Sequence, residues 1–471
     1  MHNLKSIIDY KLVCIAIFFM PFLGAFERMW LPGFGYDGCA YPLFLAGILM
    51  IIFLFMGVVD KKGYPINNSS IVLLALPIWS ILSGFFNLNR IYTNSMYTTT
   101  GLGMYMVNIV QQIFFIFSCW YVYKCFMETD REPIIVSSNL IMISFMFTGL
   151  YSLIELLGSF GEISVFQNVL TFIDSMFRSE MNYDFGKYGE KIRSLAMESS
   201  YFGAYSSIIY PFVLYRVVCE HNKKKIIYGS LALYLIVLNY LSYSRTAYFV
   251  IIIESIAFLY LIRSLINLTK GNIVKYVSVL LIVGGIFAGV SSSTSDNSSA
   301  GASGYSVDEI VVSALDINDL ERMNSNVTRY SSKLAALFIG LDNPIFGVGV
   351  GQFGFYAADY YPDWAWLAPD IRMMNSEQGR FPVAYDFYLK LFSELGFIGI
   401  IIYLLFLYRI FVSIKSIASL KSNVLWRACL ITSMIGIVLS GGNFDFWEYG
   451  FAIIIGIVWA QTEWYKEHDK L

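Results

Sequence analysis

The chain returns from a polar segment to apolar sequence at the stretch DFYLKLFSELG (386–396). The polar segment runs from about Val290 to Gly399, and apolar segments flank it on both sides. It is the only piece of sequence long enough to form a domain outside a membrane, because the rest consists largely of apolar runs. We therefore expect the chemistry to lie where this segment meets the bilayer.

The composition is that of a polytopic membrane protein. Hydrophobic residues make up 57% of the 471 residues, charged residues make up 14%, and the mean hydropathy is +0.61. A net charge of -2 leaves no basic face for a nucleic-acid partner. The 6 cysteines form no CxxC pattern and predict neither a disulfide framework nor a metal site.

Apolar runs of the length that crosses a bilayer set the predicted topology. About twelve occur, at roughly 11–27, 41–59, 69–86, 104–126, 133–157, 199–219, 226–243, 246–264, 273–290, 386–411, 424–440 and 447–465. Loops rich in Lys and Arg alternate with loops that carry one Arg or none, which predicts cytoplasmic termini. The sequence thus predicts an all-α polytopic integral membrane protein with nine spans in 1–290, a large extracytoplasmic loop at 291–385, and three spans in 386–471. A second outer loop is expected at about 158–198.

The large loop has predicted structure of its own. Its first part, 291–299, is a serine-rich stretch typical of flexible sequence. A helix is predicted from Asn326 to the stop signal Asp342–Asn343–Pro344. Its apolar face follows helical spacing. That face consists of Tyr330, Leu334, Leu337, Phe338 and Leu341.

The run GVGQFG (349–354) fits the GxGxxG pattern of dinucleotide-binding turns. That fingerprint requires a strand before it and a helix after it, in a compartment that contains nucleotides. The sequence predicts none of these, so we interpret the run as a tight turn packed at the membrane surface, and no cofactor is expected.

An aromatic cluster follows this turn and includes Tyr361 and Trp364. Aromatic side chains at a membrane boundary commonly form an interfacial belt. The alternative is a platform on which sugar rings stack, since an aromatic face offers a large apolar surface. The two interpretations are compatible.

Three arginines are predicted on the outer side. Arg193 precedes the sixth span, Arg245 lies at the hinge between the seventh and eighth, and Arg329 lies with Lys333 on one face of the loop helix. Each arginine taken alone fits snorkelling toward lipid headgroups. Together they favour an anionic substrate, because the guanidinium fork matches phosphate oxygens.

Acidic residues provide candidate bases. Asp386, Lys390 and Glu394 recur at helical spacing, which is typical of a structural ion-pair ladder or of a functional face. Glu394 and Glu198 are candidates for accepting a proton. The sequence has no DxD motif and no cluster of His, Asp and Glu, so a metal-dependent transferase is disfavoured.

Short motifs occur in the order of a known family. They are the Arg193–Glu198 segment before the sixth span, SRTA (244–247) at the hinge between the seventh and eighth spans, NPIFGVG (343–349) in the large loop, and ELGFIG (394–399) after that loop. Over roughly 190–400 the chain resembles the O-antigen polymerase and O-antigen ligase superfamily. The ligases are expected to carry a catalytic histidine where this chain has Ala384–Tyr385–Asp386, and its only histidines, His2, His221 and His468, are predicted on the cytoplasmic side. The resemblance therefore favours the Wzy-type O-antigen polymerases.

The resemblance implies a metal-independent glycosyltransferase in the bacterial inner membrane. Its donor and acceptor would be oligosaccharide repeat units linked to undecaprenyl diphosphate, and its partners a chain-length regulator and a flippase. Arg193 and Arg245 would stabilise the departing diphosphate, with Arg329 as a further clamp. Glu198, or else Glu394, would act as the base, and Lys333, Lys390, Tyr361 and Trp364 would contact substrate. The alternatives are an O-antigen ligase that transfers the glycan to lipid A–core and a non-enzymatic flippase of lipid-linked oligosaccharides.

Overall fold

The computed structural model describes residues 2–26, 37–58, 65, 67–129, 131–178, 191–265, 320–376, 381–417, 424–444 and 447–468. Within these ranges the chain forms sixteen α-helices. They are α1 (His2–Phe18), α2 (Ala40–Phe55), α3 (Asn68–Phe86), α4 (Leu88–Thr93), α5 (Gly101–Met127), α6 (Pro133–Glu155), α7 (Ser164–Phe177), α8 (Ser199–Cys219), α9 (Asn222–Leu241), α10 (Arg245–Ile262), α11 (Leu320–Asp342), α12 (Phe353–Tyr360), α13 (Pro369–Met374), α14 (Phe387–Ser416), α15 (Val424–Ser440) and α16 (Tyr449–His468).

Other regular structure in the described ranges is sparse. A π-helical turn, Leu156–Phe160, extends α6, and 3₁₀ turns occupy Asp363–Leu367 and Gly441–Asn443. One short antiparallel pair joins β1 (Ser95–Met96) to β2 (Thr99–Thr100).

The predicted fold class, an all-α polytopic membrane protein, is confirmed. Seven helices in the described ranges are long and apolar enough to cross a membrane, and Ala40–Phe55 and Thr246–Ile262 are shorter apolar helices. Of the predicted spans, only 273–290 lies outside the described residues, as does the serine-rich stretch.

The predicted bounds of the first span, 11–27, are wrong. Helix α1 begins at His2 and ends at Phe18. It stops early because Pro21 has no N–H to continue the hydrogen bonding, and Gly24 adopts a left-handed conformation with φ of 65°. Its polar first turns are tolerated because Asp9 is buried in a salt bridge of 2.7 Å to Lys124.

Several helix ends meet on one side of the bundle, which we call the loop end because it carries α7 and α11–α13. The start of α8 meets the chain after α15 there, since the Tyr201 and Phe444 rings lie 5.3 Å apart. The hydroxyls of Ser207 and Ser440, one turn deeper, are 2.9 Å apart. Helices α8, α10 and α15 pack on one another, and α14 packs between α3 and α11. This places α11 across the ends of the membrane helices.

The loop helix α11 ends where predicted but buries a different face. Tyr330, Phe338 and Leu341 of the predicted apolar face are exposed, whereas Ala335, Ala336 and Ile339 are fully buried. Small residues face inward because α11 approaches its neighbours closely: a Cβ on Gly340 would lie 2.4 Å from Phe392 Cδ1. The buried face joins a small core of the loop itself, which also contains Val348, Phe353, Ala357, Tyr361, Ala365, Ala368, Ile371, Met374 and Ala384.

The glycine-rich turn packs against a break in α14. Gly396 has φ of 67° and ψ of -168°, which are not helical angles and leave carbonyls on α14 without helical partners. The Val348 and Gly349 N–H groups donate to the Ser393 and Glu394 carbonyls at 3.0 and 2.9 Å. The turn therefore supplies the hydrogen bonds that the broken helix lacks.

Candidate functional site at the loop end

Two cations of α11 contact the chain that follows α15. The Arg329 guanidinium donates through Nη1 to Asn443 Oδ1 at 3.1 Å and lies 5.7 Å from the centre of the Tyr385 ring. Lys333 Nζ donates to the Gly442 carbonyl at 2.7 Å. Both cations are therefore held at the surface where the loop meets the membrane helices.

Asp386 joins this cluster and fixes the start of α14. Its Oδ1 accepts from the Tyr388 and Leu389 N–H groups at 3.1 and 3.0 Å, the geometry of a helix N-cap. Its Oδ2 lies 3.4 Å from Lys333 Nζ. Asp386 thus precedes the helix and pairs with α11, which departs from a simple ladder along one helix face.

The cluster carries more positive than negative charge. Arg329 and Lys333 contribute two cations, whereas Asp386 contributes one carboxylate, and the backbone N–H of Lys390, one turn into α14, donates to the Asp386 carbonyl at 2.9 Å. The Lys333 side chain is 28% exposed, so it is accessible to a ligand. Guanidinium and ammonium groups are the side chains that bind phosphate in proteins, so this arrangement is a candidate anion site. We call Arg329, Lys333, Asp386 and Lys390 the cationic cluster.

Arg193 lies in a different environment, buried between α6 and α7. Its side chain is 4% exposed, and its Nη2 lies 3.1 Å from Asp174 Oδ2. The same oxygen lies 2.6 Å from Nη1 of Arg178, and the Tyr151 hydroxyl donates to Asp174 Oδ1. Burial, and next the charge of Arg178, lower the pKa of Arg193. The predicted contact of Arg193 with a diphosphate stays a prediction, and the geometry gives this guanidinium a positioning role.

Glu155, at the end of α6, fixes the same segment. Its carboxylate accepts the Arg193 and Ser194 N–H groups at 3.1 and 2.8 Å. Arg178 adds hydrogen bonds of 2.7 Å to the Ser194 and Ala196 carbonyls. Sequence reasoning did not assign Glu155, although an acid at the end of an apolar run is the signal that such a partner exists.

The segment with Arg193 lies beside the start of α10. The Ile192 N–H donates to the Leu241 carbonyl at 2.9 Å, and a Cβ on Gly203 of α8 would lie 2.7 Å from Ala247 Cβ. Arg245 is the first residue of α10, and its side chain lies outside the described part. The structure therefore places the Arg193 segment beside the end of α9, and the prediction that Arg193 and Arg245 share one site stays a prediction.

The two candidate bases differ in access. Glu198 is exposed immediately before α8 and accepts a hydrogen bond of 3.3 Å from the Ser200 hydroxyl. Glu394 is 1% exposed, and its Oε1 accepts from the Phe353 N–H, at the start of α12, at 3.4 Å. An acid in that position stabilises the helix terminus, so this contact of Glu394 ties the loop to α14.

The two aromatic candidates also differ. Tyr361 is 7% exposed, and its hydroxyl lies 3.5 Å from that of Ser332 on α11. Trp364 is 42% exposed. Tyr361 is therefore part of the core of the loop, whereas the exposed ring of Trp364 is accessible to solvent, lipid or sugar.

A buried pair of acids at the loop end was not foreseen. Asp37 accepts the Gly24 N–H at 2.8 Å, and burial raises its pKa to about 6. Burial and the charge of Asp37 also raise the pKa of Glu448, which is 2% exposed. No spacing pattern in the sequence joins two residues so far apart. In the described part of the chain, no group of three or more His, Cys, Asp or Glu is arranged to hold a metal ion.

The fold defines a polytopic α-helical membrane protein, and the candidate side chains described above gather at its loop end. Residues 230–404 match the family model Wzy_C, described as O-antigen ligase. The matched range covers somewhat more than a third of the chain and includes α10, α11 and the cationic cluster. The resemblance to the O-antigen polymerase and ligase superfamily is therefore confirmed over this range. A search of curated proteins found no match to the chain.

Proposed function

We propose that the protein is a polymerase that joins undecaprenyl-diphosphate-linked oligosaccharide repeat units on the periplasmic face of the bacterial inner membrane. The observation that carries the proposal is the cationic cluster, which lies inside the range matched to the O-antigen ligase family. It combines accessible positive charge with a place at the membrane boundary, as a lipid diphosphate requires.

In this reaction a bond forms between the anomeric carbon of the donor glycan and a hydroxyl oxygen of the acceptor unit. The bond from that carbon to the diphosphate oxygen breaks, and the diphosphate leaves with the electron pair. Arg329 and Lys333 would stabilise the charge on the departing group. Glu198 would accept the hydroxyl proton, because it is the exposed candidate. Arg245 remains a candidate for a second contact with the diphosphate.

The proposal favours a polymerase over a ligase because no histidine lies where a ligase is expected to carry one. The matched range contains none, and His221 lies at the far end of α9 from Leu241. Since α9 has 20 residues, that end is about 30 Å from the Arg193 segment. A ligase that uses a histidine base near the tenth span would lack that base in this chain.

A deletion strain tests the assignment. A polymerase-deficient cell should display lipid A–core with single repeat units, and a ligase-deficient cell should display bare core with polymer left on its carrier. A flippase-deficient cell should retain units inside. Surface glycolipid resolved on one gel distinguishes the three, and either of the last two patterns would overturn the proposal.

Variants test the cluster itself. Lys333→Gln and Arg329→Gln should each lower polymer formation about a hundredfold, the usual effect of losing one donor to a developing negative charge. Arg372→Gln changes an exposed arginine on α13 and should leave activity intact. Asp386→Asn removes the charge partner of Lys333 but keeps an oxygen for the N-cap. If Asp386→Asn is as damaging as Lys333→Gln, the ion pair is structural and the anion-binding role of Lys333 is refuted.

A further inference from the structure

A cavity of about 510 Å³ opens at the loop end, between the end of α3 with α4 and the turn that follows α11. This volume lies within the range of small-molecule sites. The cavity shares no lining residue with the cationic cluster, so it is a separate site. Its wall divides into a polar and an apolar part.

The polar part is centred on Arg90. Its Nη1 donates to Asn343 Oδ1 at 3.3 Å, and the Asn343 amide in turn donates to the Ile339 carbonyl at 3.0 Å. Asn343 thereby orients a guanidinium that remains exposed to solvent. The nearby Asp342 carboxylate accepts from the Tyr360 hydroxyl at 2.8 Å and is not in the cavity lining. The cavity rim therefore presents one exposed, hydrogen-bonding guanidinium.

The apolar part continues into the lipid-facing surface. Phe86 and Ile345 line the cavity and are 62% and 56% exposed. The Phe346 ring lies 4.1 Å from that of Phe86 and stacks on Trp79 at 5.3 Å, which fixes the wall. Along α3 the exposed apolar residues continue to Phe85, Leu82, Ile81 and Ile78. An amphiphile with its phosphate at Arg90 can thus lay its hydrocarbon chain along α3.

Helix α11 sets the distance between this cavity and the cationic cluster. Arg329 and Asn343 are fourteen residues apart along a helix that ends at Asp342, so they lie about 20 Å apart. Arg329 contacts Asn443 and Asn343 contacts Arg90, so the middle and the C-terminal end of the helix are tied to different cation sites.

The proposed reaction requires two lipid carriers at such a separation. The donor loses its diphosphate at the reacting carbon. The acceptor keeps its own diphosphate, which is separated from the reacting hydroxyl by the length of a repeat unit. Two phosphate sites must therefore stand apart from each other.

We propose that the Arg90 cavity binds the diphosphate end of the acceptor, a polyprenyl-diphosphate-linked oligosaccharide whose isoprenoid chain lies along α3. This inference rests on the proposed function and adds the location of the second substrate. The cationic cluster holds the donor, and the glycan of the acceptor spans the interval along α11.

Lipid binding to the purified full-length protein tests the proposal. Native mass spectrometry with undecaprenyl diphosphate should count two bound lipids on the wild type. Arg90→Gln should weaken one of them by about tenfold or more, the effect of losing a charged hydrogen bond. The double variant Arg329→Gln, Lys333→Gln should weaken the other, and Arg372→Gln should keep both. Equal melting temperatures establish that the variants fold.

Competing lipids identify the ligand. Phosphatidylglycerol and inorganic diphosphate, each added in excess, should leave the Arg90-dependent lipid bound. Displacement by phosphatidylglycerol would identify a general headgroup site and overturn the proposal, as would two bound lipids on Arg90→Gln. Phe86→Ala, at a side chain 62% exposed, is a second variant that should weaken the same lipid. If Arg90 does not bind the lipid, the deletion strain should still show lipid A–core with single repeat units. If the protein is not a polymerase, that gel should show one of the other two patterns.

Discussion

The buried network around Asp174 provides the sharpest test of how Arg193 acts. Asp174→Asn keeps the size of the side chain but removes the charge that faces two guanidiniums at 2.6 and 3.1 Å. All three side chains are buried, so water does not replace the lost interaction. Removing one partner of a buried ion pair costs about 3–5 kcal/mol, and one carboxylate that serves two arginines should reach the upper part of that range, about 5 kcal/mol.

A thermodynamic cycle separates positioning from direct contact with substrate. Thermal unfolding in detergent should show Asp174→Asn and Arg193→Gln each strongly destabilised, and the double variant should lose less than the sum, because the two residues share one interaction. Polymer formation should fall in both single variants. Asp359→Asn, at an exposed acid on α12, serves as the control and should melt like the wild type.

The contrary outcome is also clear. Arg193→Gln could abolish polymer formation while its melting temperature matches that of the wild type. In that case the role of Arg193 is not to stabilise the network around Asp174. The guanidinium would then contact substrate, as the sequence predicted. Additive losses of stability would likewise refute the coupling between Arg193 and Asp174.

Two further predictions concern the loop end. Burial raises the pKa of Asp37 from 3.8 to about 6, beside Glu448, so the folded protein binds this proton more tightly than the unfolded chain does. Its contribution to stability is full below about pH 4 and is lost as the pH rises through about 6, and melting curves of Asp37→Asn should lack this decline. Gly396→Ala should destabilise the protein by roughly 2–5 kcal/mol, because its backbone is left-handed and its Cβ would lie 2.3 Å from the Ile345 carbonyl oxygen. The control Gly229→Ala meets nothing within 4 Å on α9 and should melt at or slightly above the wild-type temperature. Equal melting of the two alanine variants would show that the break in α14 is not required.

The sequence predicted the membrane helices well because crossing a bilayer imposes one strong requirement, a long apolar run. It predicted the end of α11 equally well, since Pro344 has no N–H to continue the helix and disfavours helical angles at Asn343. The buried face of α11 was predicted wrongly. Periodicity identifies an inward face when water penalises exposed apolar residues, but at a membrane boundary large side chains such as Phe338 can stay outside while small ones pack.

For the candidate site, the sequence predicts proximity only between residues that are close along the chain. Arg329 and Lys333 lie four residues apart, and one helix turn brings them together, so the local sequence sufficed. The partners that decide the role of Arg193 come from α6 and α7, and no spacing links them to it. A buried arginine in a membrane protein requires a partner, because an unpaired charge there is costly. The sequence alone does not show whether that partner is Asp174 or a substrate.

The close packing of α11 explains why a loop can define a reaction geometry. Its buried residues are small, so Ala335 and Ala336 bring the helix axis close to its neighbours and leave little freedom to shift. Lys333 ties the middle of α11 to the chain after α15, and Asn343 ties its C-terminal end to Arg90 beside α3. If α11 were mobile, the distance between the cationic cluster and the Arg90 cavity would vary. A helix fixed at these two points holds Arg329 and Asn343 about 20 Å apart. In the proposed reaction this part of the loop would therefore separate the two lipid-phosphate sites, and the exposed side chains on the other face of α11 would meet lipid or glycan.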